Sequence, residues 1–305
     1  IRNTPQIENT SLIEDFEGRT RAFVQIQNGC DHKCTFCIIP HARGNSRSIP
    51  EDLIITQIQT LIDKGFHEIV LTGVDITAYG KDINDKINLG RLLKNIIKKT
   101  KNLKRLRVSS IDSIEINNEF IEVFGSEEKI MPHLHLSLQS GNEIILKRML
   151  RRHQPIDAIK FCQKIRNIRP ETVFGADIIA GFPTEDDEMH NITKKHIEDC
   201  DITYLHIFPY SAKAGTPAFK MPQVNKNIIQ RRAKELRSIG EYRLGQYLCK
   251  EVGKNKKILV EKQGFGRTEQ YSRVLLPDEY RQGELISKKI IGITKDQLIA
   301  ESKHN

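Results

Sequence analysis

Three cysteines, Cys30, Cys34 and Cys37, fall within eight residues of one another in the segment GCDHKCTFCIIPHARG (29–44). Thiolates this close together are ligands for a soft metal centre. The C-x3-C-x2-C spacing supplies three donors, and no second pair follows. Structural zinc takes four ligands, so zinc here would need His32 or His41 as the fourth. Three thiolates suit a [4Fe–4S] cluster whose remaining iron stays open to a substrate or cofactor, and the spacing favours this reading over zinc. Cys162, Cys200 and Cys249 lie far apart and read as small buried hydrophobes. No secretory segment is evident, so a disulfide framework is not expected.

The elements around these cysteines have the pattern of an α/β protein. Short β-type runs at 21–27, 67–73, 104–110, 133–139, 172–182 and 202–210 alternate with helical patterns at 51–64, 88–100, 117–125, 143–150, 155–168 and 185–199. Ser48 and Glu51 have capping-box spacing with Pro50 between them, and Asn88 is placed to cap the second helix. Such alternation predicts a parallel sheet with helices outside, either open or closed as a partial or full (βα) barrel. Ligands in these architectures sit at the C-terminal ends of the strands. The cysteine loop follows the first strand, where such a site belongs. A long basic helix is expected over about 225–251, and short β-prone runs over 256–302 suggest a small all-β barrel of the nucleic-acid-binding kind.

With 305 residues, 38% of them hydrophobic, there is room for one large domain and one small one. No run approaches the roughly 18 apolar residues of a membrane span. The first residue is Ile1 in a polar stretch that reads as an interior linker, residues 1–18, from a preceding domain. A core domain over 19–250 and a small domain over 251–305 are expected to follow. The net charge is +9, and residues 225–257 carry ten Lys or Arg against three acids. That local excess suits a polyanionic partner as well as a solvated helix face. Arg231, Arg232, Lys234, Arg237 and Arg243 are its candidates for RNA contact. The run from Arg91 to Arg107 holds eight basic residues and no acid, a second stretch that could follow RNA.

Beyond the cysteine loop, LTGVDITAYG (71–80), RVSSIDS (107–113), HLHLSLQSGNEIILKRMLRRH (133–153) and FPYSAKAGTPAFKMP (208–222) complete a set of words. Together they resemble the radical S-adenosylmethionine (radical SAM) methylthiotransferases. TFCIIP, GVDIT and SSIDS are most similar to the MtaB-type branch, whose members methylthiolate C2 of N6-threonylcarbamoyladenosine at tRNA position 37. The resemblance runs from about residue 19 to the C-terminus. It implies that Cys30, Cys34 and Cys37 hold a [4Fe–4S] cluster whose open iron binds S-adenosylmethionine. One electron then cleaves the sulfonium to a 5′-deoxyadenosyl radical, which abstracts a hydrogen that acid–base side chains cannot remove.

By the same resemblance Thr72, Gly73, Ser109, Ser137, Gln139 and Asp177 are candidates for S-adenosylmethionine binding, with Ser110 beside them. The plainer alternatives are a strand-ending turn at Thr72–Gly73, local backbone satisfaction by the serines and an Asp177–Arg pair. Arg148, Arg151 or Arg152 could meet a carboxylate or phosphate. The last 48 residues resemble a TRAM domain, which implies RNA binding to a tRNA anticodon stem-loop. An electron donor such as a flavodoxin or ferredoxin and a cytoplasmic location, with no membrane, are also implied.

Complete members of the family carry an N-terminal domain with a second [4Fe–4S] cluster for sulfur delivery, and no cysteines here match it. The chain alone is therefore expected to cleave S-adenosylmethionine without inserting sulfur. Two alternatives stay open at this point: a methylthiotransferase acting on isopentenyladenosine in tRNA or on an aspartate of a ribosomal protein, and a non-catalytic zinc-containing RNA-binding protein.

Overall fold

The computed structural model of the chain describes residues 20–302 apart from residue 85, so the expected linker over 1–18 lies outside the described residues. Its strands are β1 (Arg21–Gln25), β2 (Gln27–Asn28), β3 (Arg47–Ser48), β4 (Glu68–Thr72), β5 (Arg105–Val108), β6 (Ser110–Ile111), β7 (His133–Gln139), β8 (Val173–Ala180), β9 (Tyr204–Pro209), β10 (Asn255–Lys262), β11 (Phe265–Thr268), β12 (Arg273–Leu275), β13 (Leu285–Ile293) and β14 (Leu298–Ala300). The helices are α1 (Ile39–Arg43), α2 (Glu51–Asp63), α3 (Leu89–Lys99), α4 (Asn118–Ser126), α5 (Glu143–Arg148), α6 (Pro155–Ile168), α7 (Asp187–Asp199) and α8 (Lys226–Glu251).

Two parallel sheets, β1-β4-β5 and β6-β7-β8-β9, are joined where the third β-type run breaks at Ser109. They form an open arc, the partial-barrel form of the expected architecture. Ile69, Leu106, Leu134, Leu136 and Phe174 are buried within one core with Ile54 of α2, Leu92 of α3, Phe120 of α4 and Phe161 of α6. Burial of each such side chain is worth about 1.5–3 kcal/mol, which is why the strands read as nearly continuous apolar runs. Asn88, Asn117, Asn142 and Asp186 each accept a backbone N–H in the first turn of α3, α4, α5 and α7. Ser48 does not cap α2 as its spacing suggests. Its hydroxyl donates to Asp82 Oδ1 at 2.5 Å and accepts the Gly80 N–H at 2.8 Å, because a tertiary partner outcompetes the local one.

The C-terminal strands close a five-stranded barrel in the order β10-β11-β12-β14-β13. Helix α8 serves both cores. Ala233 and Leu236 join the large core, while Leu248 is buried in the barrel among Ile258, Val260 and Ile290. Cys162 and Cys200 are buried, as expected of isolated cysteines, but Cys249 is exposed on α8.

The seam between arc and barrel is polar and buried. Glu68, 1% exposed, holds Arg107 through Nε at 2.7 Å and lies 3.5 Å from Arg105. Arg105 donates to the Lys257 carbonyl at 2.9 Å and Arg107 to the Glu269 carbonyl at 3.2 Å, both on the barrel side. Arg21 adds an ion pair to Glu261 at 2.8 Å. Two members of the basic run expected to follow RNA are thereby committed to docking the barrel. Among the described residues, no helix is long and apolar enough to cross a membrane.

Candidate active site

The cysteine loop follows β2, just beyond the end of β1, and is clasped from two directions. Gly29, at φ 74°, presses its backbone onto the returning chain so closely that a Cβ would meet the Asn45 carbonyl oxygen at 1.9 Å. The Cys30 N–H donates to the Gly44 carbonyl at 3.1 Å, and the Ser46 N–H donates to Asp31 at 3.0 Å. Gln27, fully buried, spans the junction. Its amide donates to the Gly29 carbonyl at 2.7 Å and the Ser46 hydroxyl at 2.9 Å, and its oxygen accepts the N–H groups of Val74 and Asp75 at 3.1 and 2.8 Å. On the other side, Thr35 donates through its N–H to the Met149 carbonyl and through its hydroxyl to the Arg148 carbonyl.

Cys30, Cys34 and Cys37 face one cavity of about 170 Å³, which Asp75, Ser110, Asp112, Ser137, Gln139 and Arg151 also line. Gln139 closes strand β7 with φ 67°, a left-handed conformation that costs a non-glycine residue on the order of 1–2 kcal/mol. The strain turns the chain from the strand end into the Asn142-capped helix α5. Arg151, nearly buried, points Nη1 at Cys34 Sγ at 3.8 Å and donates through Nη2 to Asp112 and the Ser137 carbonyl, each at 2.8 Å. Arg148 instead bonds Thr184, and Arg152 pairs with Glu115 at 2.6 Å. Of the three arginines singled out in the sequence, only Arg151 enters the cavity.

Burial pushes the Cys30 thiol up to about 12 and raises that of Cys37, so the thiolates form readily only when a cation supplies the missing charge. The donor set fits a three-thiolate cluster better than a zinc completed by histidine. His32 Nε2 is held by Asp75 at 2.8 Å, which lifts its pKa to about 9, and His41 is exposed on α1. Glu115 beside it is buried, yet hydrogen bonds from His32, Lys81 and Arg152 hold its carboxylate in the charged form.

Residues 24–195 match the radical SAM superfamily model. The chain is 49% identical over 282 residues to the threonylcarbamoyladenosine tRNA methylthiotransferase MtaB of Rickettsia prowazekii, covering 92% of this chain and 67% of that relative. The chain belongs to the radical SAM superfamily and, within it, to the MtaB-type methylthiotransferase family. MtaB of Bacillus subtilis is 38% identical, with 85% of this chain and 57% of that relative covered. MtaB of Aquifex aeolicus is 36% identical, with 92% and 68% covered, so the chain spans roughly two thirds or less of these relatives' lengths. The fold is shared with coproporphyrinogen III oxidase (HemN) from Escherichia coli, at a TM-score of 0.54 and 14% identity over 92% of this chain and 71% of that one. It is shared also with the methyltransferase TsrM from Kitasatospora setae, which has been solved with cobalamin and a [4Fe–4S] cluster, at a TM-score of 0.53 and 15% identity over 65% and 38%. A [4Fe–4S] cluster and S-adenosylmethionine are the cofactors of the superfamily, and the zinc-protein alternative falls away.

Within this radical SAM chain the candidates for S-adenosylmethionine binding separate into groups. Ser110, Ser137 and Gln139 line the thiol cavity. Thr72 and Gly73 line an adjoining recess with Gln25 and Arg43, and Gly73 packs so tightly that a Cβ would lie 2.7 Å from the Gln27 carbonyl oxygen. Ser109 spends its N–H on the Leu71 carbonyl at 3.1 Å. Asp177 does not line the cavity. It bonds His135 at 2.8 Å and lies 3.4 Å from His206, in place of the arginine partner that sequence suggested.

The α8 candidates for RNA contact also divide. Arg232 is 3% exposed and locked to Glu185 and Asp187, so it cannot reach a phosphate. Arg243 pairs with Asp201 and Arg231 with Asp187. Lys234 and Arg237 are exposed, Arg237 with one bond to the Ile207 carbonyl. Sequence reasoning missed Gln27, Asp75 and Asp112. Polar residues flanking an apolar run were the only signal available for them.

Proposed function

We propose that this chain is the catalytic and RNA-binding part of a tRNA methylthiotransferase that acts on C2 of N6-threonylcarbamoyladenosine at position 37. The observation that carries the reading is the convergence of Cys30, Cys34 and Cys37 on one cavity at the C-terminal ends of parallel strands, in a chain 49% identical to an MtaB enzyme.

Cys30, Cys34 and Cys37 hold the [4Fe–4S] cluster. When bound there with S-adenosylmethionine and reduced, it supplies the radical chemistry needed to activate an aromatic C–H. Ser110, Ser137 and Gln139 present hydroxyl and amide groups to the cosubstrate across the cavity. Thr72 and Gly73 allow close approach along the neighbouring strand end. Arg151 places a fixed positive charge beside Cys34 and toward any carboxylate in the cavity. Lys234 and Arg237 on α8, with the C-terminal barrel, supply phosphate contacts that position a tRNA anticodon stem-loop without reading its sequence. Reduction falls to a flavodoxin- or ferredoxin-type donor in the cytoplasm.

The test is nucleoside mass spectrometry of tRNA from cells that lack the gene. Loss of the methylthio form of N6-threonylcarbamoyladenosine, restored by complementation, is the expected result. An unchanged profile rejects the substrate, and loss of methylthio-isopentenyladenosine instead assigns the other tRNA target.

A further inference from the structure

A second cluster of metal-ligating side chains stands apart from the three cysteines. His135 on β7, Asp177 on β8 and His206 on β9 occupy neighbouring parallel strands, with Asp177 and His206 in direct register. One donor atom from each lies within 4.8 Å of the others. The Asp177 Oδ1 is 2.8 Å from His135 Nε2 and 3.4 Å from His206 Nδ1. Donors bound at about 2.0–2.2 Å in a tetrahedron sit about 3.3–3.6 Å from each other, so the 3.4 Å separation suits a shared ion as it stands, and the 2.8 Å contact is a hydrogen bond that has to open by roughly half an ångström when the ion takes the place of its proton. The imidazoles and the carboxylate reach this arrangement by construction of the sheet. Gly175 leaves the space that the His135 ring fills, and a Cβ there would meet His135 Nδ1 at 2.5 Å.

The surroundings leave this carboxylate to its histidines. His135 and His206 open on a cavity of about 450 Å³ between the arc and the C-terminal barrel. Its two guanidinium groups are committed elsewhere. Arg267 meets Glu261 at 3.3 Å, and Arg273 meets Asp296 at 3.0 Å. His133, two residues before His135 and 7% exposed, lines the same cavity, and its Nδ1 is buried without a partner. A buried ring nitrogen of this kind is suited to a water or ligand in the cavity.

We propose that His135, Asp177 and His206 form a binding site for a divalent transition metal ion such as Zn²⁺, distinct from the thiol site. Two imidazoles and one carboxylate suit a borderline ion, and three protein ligands leave coordination positions open. With the His206 side chain 63% exposed, those positions face the cavity, where water or an oxyanion of a bound nucleotide completes the shell.

The test uses the full chain with its iron–sulfur cluster reconstituted anaerobically, so that iron already occupies the thiols. After equilibration with Zn²⁺ and desalting, zinc is counted by elemental mass spectrometry separately from iron, and a parallel sample receives Co²⁺ for visible spectroscopy. About one zinc per chain and cobalt d–d bands of a low-symmetry site are expected. His206→Ala should lose both by about tenfold or more, with its iron content and melting transition unchanged. His135→Ala should do the same. No zinc retained by the parent chain at neutral pH overturns the proposal, as does zinc retained undiminished by His206→Ala.

Discussion

The Gln27 side-chain oxygen accepts the Asp75 N–H at 2.8 Å, tying the start of the cysteine loop to the loop that follows β4. Gln27 is fully buried and bonds both loops, so it sets the position of Cys30 relative to Asp75. Gln27→Leu strands the N–H groups of Val74 and Asp75 and removes the donor to the Asn28 and Gly29 carbonyls and the Ser46 hydroxyl. It should cost about 1–3 kcal/mol per buried group left unpaired. Chemical denaturation reads the loss, and iron and sulfide analysis should show a lower cluster yield. Full cluster occupancy in Gln27→Leu would remove Gln27 from the site's architecture.

Replacing Cys30, Cys34 and Cys37 together by alanine should abolish the brown chromophore and bring iron to background after anaerobic reconstitution. The loop keeps its backbone bonds to Gly44 and Met149, so far-UV circular dichroism should be unchanged.

Arg151 tests the electrostatics of the site. Its guanidinium lies 3.8 Å from Cys34 Sγ and is held in place by a hydrogen bond to Asp112. Hydrogen bonds and charge at cluster sulfurs tune the reduction potential. Arg151→Met should make the midpoint potential more negative, by about tens of millivolts, in a titration followed by electron paramagnetic resonance. An unchanged potential would show that Arg151 serves the loop and not the cluster.

Glu68 governs the seam with the barrel. Burial opposes its charge, but Arg107, Arg105 and Arg21 together hold its pKa below the ordinary value. Glu68→Gln leaves buried arginines unpaired and should cost about 3–5 kcal/mol. The sign of the pH dependence follows from the lowered pKa. The stabilisation is fully present above the unfolded value of about 4.3, and falls away as pH drops through the lower folded value. The stability gap between the parent chain and Glu68→Gln should therefore be flat above about pH 5 and shrink in more acid solution. Urea unfolding across that range measures it.

On α8, Lys234→Glu should weaken tRNA binding across sequences and reduce the salt slope by about one unit per lost phosphate contact, with folding unaffected. Arg232→Ala should do the reverse, lowering stability by about 3–5 kcal/mol through the unpaired Glu185. Filter binding over a salt series, set against thermal melting, separates the two.

Cys30, Cys34 and Cys37 were legible from spacing because three thiols in one loop must share a ligand, whatever surrounds them. The alternation of strands and helices was legible because buried parallel strands are continuously apolar, and that placed the loop at the C-terminal edge of the sheet. Asn88 as a cap was legible too, since its partner is three residues away. Arg232, Arg105 and Arg107 were not legible. In sequence they are surplus positive charge, and only their burial against Glu185 and Glu68 converts them from candidate phosphate ligands into internal struts. Ser48 was misread for the same reason, because Asp82, 34 residues on, offers it a better partner than its own helix. Asp177 shows the division most plainly. The sequence determines that a carboxylate stands in the fifth strand of the arc. Only the register of β7, β8 and β9 decides that it faces two histidines, because residues 42 and 29 positions away become neighbours when strands pair.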